Sequence, residues 1–119
     1  MADLHLDNAV LLALQDVMED EYPLLLDTFL ADSEERVRSL NAALQGRDAQ
    51  ALRLAVHSFK GSCSNMGAPL LAALCKQLEE IGRREQLAEA PAVLEQIERE
   101  FAIVRILFKS ERQRYQSRT

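Results

Sequence analysis

From Leu52 to Met66 the apolar residues fall at Leu52, Val56, Phe59, Cys63 and Met66, with gaps of four, three, four and three. That rhythm is the seam of an amphipathic helix lying against another helix, because it keeps one stripe of a 3.6-residue spiral turned to the same neighbour. A strand would instead alternate at every second residue. The rhythm recurs along the chain. Val10, Leu11, Leu14, Val17 and Met18 predict a short lead-in helix from about Asp7 to Met18, capped by Asp7 or Asn8. Pro23 suits the first turn of a second helix, whose stripe of Leu26, Phe29, Leu30, Val37, Leu40 and Leu44 ends at Gly46, read as a left-handed stop. Asp48 is placed to cap the third helix, which stops at Gly67. Pro69 then opens a fourth on Leu71, Leu74, Leu78 and Ile81, ended by Gly82. After a polar connector from Arg83 to Ala90, Pro91 opens the last helix on Leu94, Ile97, Phe101, Val104 and Phe108.

Long amphipathic helices joined by short connectors become antiparallel neighbours. The expected fold is therefore all-α: an antiparallel up-and-down four-helix bundle with a short additional N-terminal helix. The 119 residues suffice for one domain, residues 1–119, with a bundle core from about 22 to 115.

Composition narrows the function classes. A net charge of −5 argues against nucleic acid as the partner, since phosphate-backbone binding needs a basic face. The basic run from Lys109 to Arg114 reads as a solvated helix end complementing the helix dipole. Cys63 and Cys75 form no CxxC pair, and no histidines stand at metal spacing, so no metal site is expected and both thiols are read as core. No apolar run approaches the ~18 residues that span a bilayer, and the N-terminus lacks a cationic leader. The expectation is a cytoplasmic protein with no membrane contact.

One segment stands out of pattern. At ~100° per residue His57 lies roughly 160° from Phe59, so it is expected to point away from the seam and into solvent. Arg53, Lys60, Gly61 and Ser64 share its face at three- or four-residue spacing. Gly61 costs about 1 kcal/mol in a helix interior relative to alanine, and leaves the imidazole open to a bulky approaching group. Lys60 offers a cation for phosphoryl oxygens, and its charge would favour the neutral, nucleophilic imidazole. The other histidine, His5, is expected to be a bystander at a frayed terminus. The acidic clusters Glu19-Asp20-Glu21, Glu34-Glu35 and Glu79-Glu80 lack the spacing of a metal site and are read mostly as solvated faces.

The run His57-Ser58-Phe59-Lys60-Gly61, with Gly67 closing the helix, resembles the His-x-x-Lys-Gly signature of the histidine phosphotransfer (HPt) family. The likeness extends to Phe29, Asp48 and the pair Leu78-Glu79, and so to nearly the whole chain. It implies a stand-alone carrier of a multistep phosphorelay in which His57 is the phosphoacceptor, Lys60 steadies the phosphoryl group and Gly61 gives access. Glu79 matches a position often held by Gln that reaches toward the histidine, and is a candidate partner for Lys60. The implied partners are receiver domains of hybrid sensor histidine kinases and a response regulator. The chain shows no P-loop and no paired-Asp Mg²⁺ site, so it is expected to bind no cofactor and to be no enzyme, with Mg²⁺ and catalysis belonging to the receiver. Docking is expected on Arg53 and on the lead-in helix around Leu11, Leu14 and Met18, with the protein a monomer. The alternatives are the histidine helix that dimerises sensor kinases, and a helical adaptor that is never phosphorylated. Ser58 and Gly61-Ser62 depart from the acidic residue and proline usual in that kinase helix.

Overall fold

A computed structural model describes residues 5–118, the side chain of Arg118 excepted. Met1 to Leu4, on which the reading of a missing leader partly rests, lie outside the described residues, as does Thr119. The described residues are helical and contain no strand. The helices are α1 (Asn8–Met18), α2 (Tyr22–Gln45), α3 (Ala49–Asn65), α4 (Pro69–Arg83) and α5 (Ala90–Arg118), with single 3-10 turns at Glu19–Glu21 and Leu87–Glu89. No helix among them is long and apolar enough to cross a membrane.

The helix starts follow the sequence closely. Asp7 accepts from the backbone N–H groups of Ala9 and Val10 to cap α1, and Asp48 accepts from Ala51 to cap α3. Prolines occupy the first turns of α2 and α4. The ends of α2 and α3 fall beside the expected glycines, but the left-handed turn is not always the glycine's, and α4 runs past Gly82. Gly46 has an ordinary right-handed backbone, and the left-handed residue is Arg47, at φ 53°. Gly82 lies inside α4, which runs on to Arg83 before Glu85 turns left-handed at φ 56°. Only at Gly67, φ 73°, does a glycine supply the turn. All three stops share one hydrogen-bond pattern: the amide after the left-handed residue donates five residues back, from Asp48 to Ala43, Ala68 to Cys63 and Gln86 to Ile81. That bonding holds the left-handed turn, and it allows Arg47 and Glu85 to carry side chains where glycine would be less strained.

α3 packs against α4 and α2, and α5 closes the group against α2 and α4. Asp27 meets Arg112 and Glu34 meets Arg105, so rising numbers on α2 face falling numbers on α5 and the two run antiparallel. Leu52, Val56, Phe59, Cys63 and Met66 of α3 are all buried, as are Leu94, Ile97, Phe101, Val104 and Phe108 of α5. On α4 the register differs from expectation. The buried stripe is Leu71, Cys75, Leu78 and Gly82, while Leu74 and Ile81 are half-buried at its margin. Gly82 belongs to this stripe for a packing reason: a Cβ there would stand 3.3 Å from the Arg53 Cβ and 3.4 Å from the Ala49 carbonyl oxygen of α3.

α1 lies across one end of the helices. The Asp7 amide donates to the Gly67 carbonyl oxygen over 2.8 Å, and a Cβ on Gly67 would meet Val10 at 3.1 Å. Leu6 and Leu11 are buried, and Tyr115 of α5 donates its hydroxyl to the Glu19 carbonyl just after α1. His5 is not on a frayed end: its Nδ1 lies 2.7 Å from Oε2 of the buried Glu100 on α5.

Candidate functional site

α3 and α4 form a hairpin about Gly67, which brings residues roughly equidistant from that turn face to face. His57, ten residues before it, meets Glu79, twelve residues after it. His57 Nδ1 lies 2.6 Å from Glu79 Oε2, and Lys60 Nζ donates to Glu79 Oε1 over 2.6 Å. One carboxylate thus binds both polar side chains of the motif. An ionised carboxylate only accepts hydrogen bonds, so Nδ1 is the donor in this contact, and in the neutral ring that tautomer puts the lone pair on Nε2.

Exposure divides the three groups. The His57 side chain is 67 % exposed, that of Lys60 29 % and that of Glu79 10 %. Hydrogen bonding from Lys60 holds the Glu79 carboxyl below the ordinary glutamate range; burial opposes that shift and the His57 bond adds to it. Glu79 is therefore a charged group kept inside the protein by two charge-assisted bonds. The Glu79-Glu80 pair splits accordingly. Glu80 is the solvated member, bridging Arg83 and Arg84, and Glu79 is not part of a solvated face.

The expected repulsion between Lys60 and His57 is not the geometry found. Lys60 is paired with Glu79, so its charge reaches the imidazole already balanced by a carboxylate that touches both. Gly61 is open as expected: nothing lies within 4 Å of the position its Cβ would take. No neighbour inside the chain requires glycine there, in contrast to Gly82. Ser64 stands one turn further on, lining with Lys60, Val10, Ala72 and Lys76 a groove of about 350 Å³ beside α1. On the other side, Arg53 lines a second hollow with Gln50 and Arg83. Ser58 accepts from Arg36 of α2 over 2.6 Å.

The docking surface expected on α1 needs correction. Leu11 is 3 % exposed and belongs to the core, and Leu14 and Met18 pack against it. That stripe packs α1 on the other helices, with Leu11 buried and Leu14 and Met18 partly buried. The apolar residues that α1 does expose are Leu12 and Val17. Sequence reasoning also passed over Leu54, exposed three residues before His57; Glu79, matched to a position that reaches toward the histidine, does so through a hydrogen bond to His57. A second signal for that contact is the near-equal spacing of the two residues about Gly67. Cys63 and Cys75 are buried as read, and the Cys63 thiol is pushed up by a hydrogen bond shared with Cys75 and by burial. Among the described residues no three His, Cys, Asp or Glu side chains are grouped to hold a metal ion.

The site is thus an exposed imidazole on a helix face, backed by a largely buried carboxylate paired with Lys60 and flanked by a glycine with open space beside it. The chain belongs to the Hpt family, whose domain model matches residues 24–106. It is a histidine phosphotransfer protein of a phosphorelay. It is 72 % identical to the histidine-containing phosphotransfer protein B, HptB, of Pseudomonas aeruginosa PAO1, with a TM-score of 0.91 over 93 % of this chain and 96 % of that one. Two more distant structures share the fold. One is a rice protein described as a putative histidine-containing phosphotransfer protein, at 18 % identity and TM-score 0.85 over 96 % of this chain and 85 % of that one. The other is the HPT domain of a Shewanella sensor hybrid histidine kinase, at 20 % identity and TM-score 0.77 over 94 % and 97 %. No curated protein sequence matches the chain. Hpt proteins are carriers rather than enzymes, and interact with receiver domains and response regulators.

Proposed function

We propose that His57 is the phosphoacceptor, taking a phosphoryl group at Nε2 from the receiver domain of a hybrid sensor kinase and passing it to a response regulator. The observation that carries this is the hydrogen bond of Nδ1 to Glu79, which leaves Nε2 as the nucleophilic nitrogen of a mostly exposed ring. The aspartyl phosphate and Mg²⁺ belong to the receiver, which catalyses the transfer, and this chain binds no cofactor of its own. Gly61 leaves room for the receiver's approach, and Lys60 and Ser64 lie along the phosphoryl group's side of the helix. Arg53 and Leu54 extend the docking face. The scaffold is read as one domain over residues 1–119, an antiparallel up-and-down bundle of α2 to α5 with α1 as the additional N-terminal helix, working as a cytoplasmic monomer.

The test is transfer from a receiver domain already phosphorylated on aspartate, in the presence of Mg²⁺. Acid-labile, base-stable label should appear in the chain and be absent from His57→Gln. Equal labelling of His57→Gln would overturn the assignment.

A further inference from the structure

We propose that Arg36 of α2 is a specificity-determining residue of the docking face: a guanidinium with no carboxylate of its own, held beside His57 by Ser58, that pairs with an acidic side chain at the mouth of the incoming receiver. This rests on His57 being the phosphoacceptor.

Charge is distributed unevenly about the site. α3 carries Arg53 and Lys60 and, from Ala49 to Asn65, no acidic residue, although the chain as a whole has a net charge of −5. Lys60 is bound to Glu79 and Arg83 to Glu80, so neither presents an unmatched charge. Arg36 does. Its Nη1 donates to the neutral Ser58 hydroxyl over 2.6 Å, and among the described residues no carboxylate stands within ion-pair reach of it. The nearest acids along α2 leave it unmatched: Glu35 binds Arg38, and Asp32, one turn before Arg36, is exposed and makes no ion pair.

The side chain is also held in place. Nη1 is bonded to Ser58, and Nε is sealed from solvent with no acceptor in the protein for its hydrogen. A buried donor left unpaired is unfavourable, so the chain keeps this guanidinium beside Ser58 at a cost. A cation fixed in this way loses little freedom when a partner binds it.

Its position is at the edge of the open approach to His57. At ~100° per residue, Arg53 and Lys60 lie on one side of His57, and Gly61, Leu54 and Ser58 on the other. The first side is filled by Glu79 and Lys60. On the second, Leu54 is 57 % exposed and nothing stands within 4 Å of where a Gly61 Cβ would be. Arg36 bounds that side through Ser58, so a receiver reaching His57 across Leu54 and Gly61 meets Arg36 at the rim of the contact. The partner's chemistry is complementary. Mg²⁺ is a hard cation held by carboxylates, and a phosphoryl group adds further negative charge, so the mouth of a phosphorylated receiver is anionic. Guanidinium matches carboxylate well, and a charge at an interface rim acts on capture and partner choice more than on the chemical step.

The test is single-turnover transfer to the full chain from a hybrid-kinase receiver domain phosphorylated on its aspartate with acetyl phosphate and Mg²⁺, over a range of receiver concentrations. In Arg36→Gln the half-saturating concentration should rise about fivefold at roughly 50 mM salt, with the maximal rate within about twofold of the parent, and the gap should close by roughly 0.5 M salt. Arg36→Lys should recover most of the loss, and Arg36→Glu should exceed it. Lys109→Gln, which removes the same charge from the exposed face of α5, should leave the half-saturating concentration where it was. An unchanged half-saturating concentration in Arg36→Gln overturns the proposal, as does a loss that Lys109→Gln shares. Equal losses in the Gln, Lys and Glu variants, insensitive to salt, also overturn it, because a merely structural Arg36 would give that pattern. If the parent takes up no label at His57, the phosphoacceptor assignment itself fails, and that is seen before any variant is compared.

Discussion

The two histidines of this chain make nearly the same contact. His57 sets Nδ1 2.6 Å from Glu79, and His5 sets Nδ1 2.7 Å from Glu100; each carboxylate is largely buried. They differ in what surrounds the pair. The His57 side chain is 67 % exposed and that of His5 36 %. The second oxygen of Glu79 holds Lys60, and the helix surface one turn beyond His57 is left open by Gly61. His5 instead lies on the segment before α1, where Leu6 is buried and Asp7 is tied to the Gly67 carbonyl. The comparison separates two uses of one motif. A histidine on a buried carboxylate can anchor a segment; exposure, a compensating cation and an open approach suit it to accept a group from a partner.

The largest contrast should lie in phosphoryl uptake from a phosphorylated receiver. His57→Gln is expected to lower it by roughly hundredfold or more, and His5→Gln by less than about twofold. Comparable losses in both would erase the distinction. Stability should follow burial of the charge left behind. Lys60→Met strands Glu79 without its cation and should cost about 2 kcal/mol in urea unfolding, whereas His5→Gln, which can still donate to Glu100, should cost below about 0.5 kcal/mol. Gly61→Ala sharpens the contrast from the other direction. With nothing in the chain to clash, alanine should stabilise the helix by up to about 1 kcal/mol while slowing transfer from the receiver; a loss of stability would show that the open space is not open. The smallest effect concerns acid. Because the folded state holds Glu79 below the ordinary glutamate range, it releases that proton more readily than the unfolded chain. The resulting stability is present above the unfolded pKa and is lost as pH falls through the folded one. Glu79→Gln should therefore flatten the decline in melting temperature on the acid side, and an unchanged acid limb would contradict the ionised pair.

Much of the scaffold was legible because helix starts and core stripes are local. Asp7, Asp48, Pro23 and Pro69 act within a turn of where they stand, and the seam of α3 follows from spacing alone. α2 ends at Gly46 as expected, but Gly46 is right-handed and Arg47 makes the left-handed turn, while α4 runs one residue past Gly82, which is a packing residue against Arg53. The backbone bonding at Arg47 and Glu85 tolerates side chains, so residue type there carries no signal. At the site, His57, Lys60 and Gly61 could be found from one helix face. Glu79 was visible as a neighbour for Lys60 at a position that reaches toward the histidine, but its burial depends on how α4 turns against α3. There Leu71 and Leu78 are core as read, and Cys75 and Gly82 take the places given to Leu74 and Ile81. The docking stripe on α1 failed for a related reason: an apolar stripe does not reveal whether it faces a partner or the protein's own core, and Leu11 faces the core.

The central claim is that Nε2 of His57 is the atom that carries the phosphoryl group. It is tested most directly by labelling the chain from a phosphorylated receiver domain and assigning the product by phosphorus-coupled nitrogen NMR of both histidine rings. A single phosphohistidine at His57, with phosphorus on Nε2 and the proton retained on Nδ1, is the predicted result. Phosphorus on Nδ1 of His57, or on His5, would contradict it.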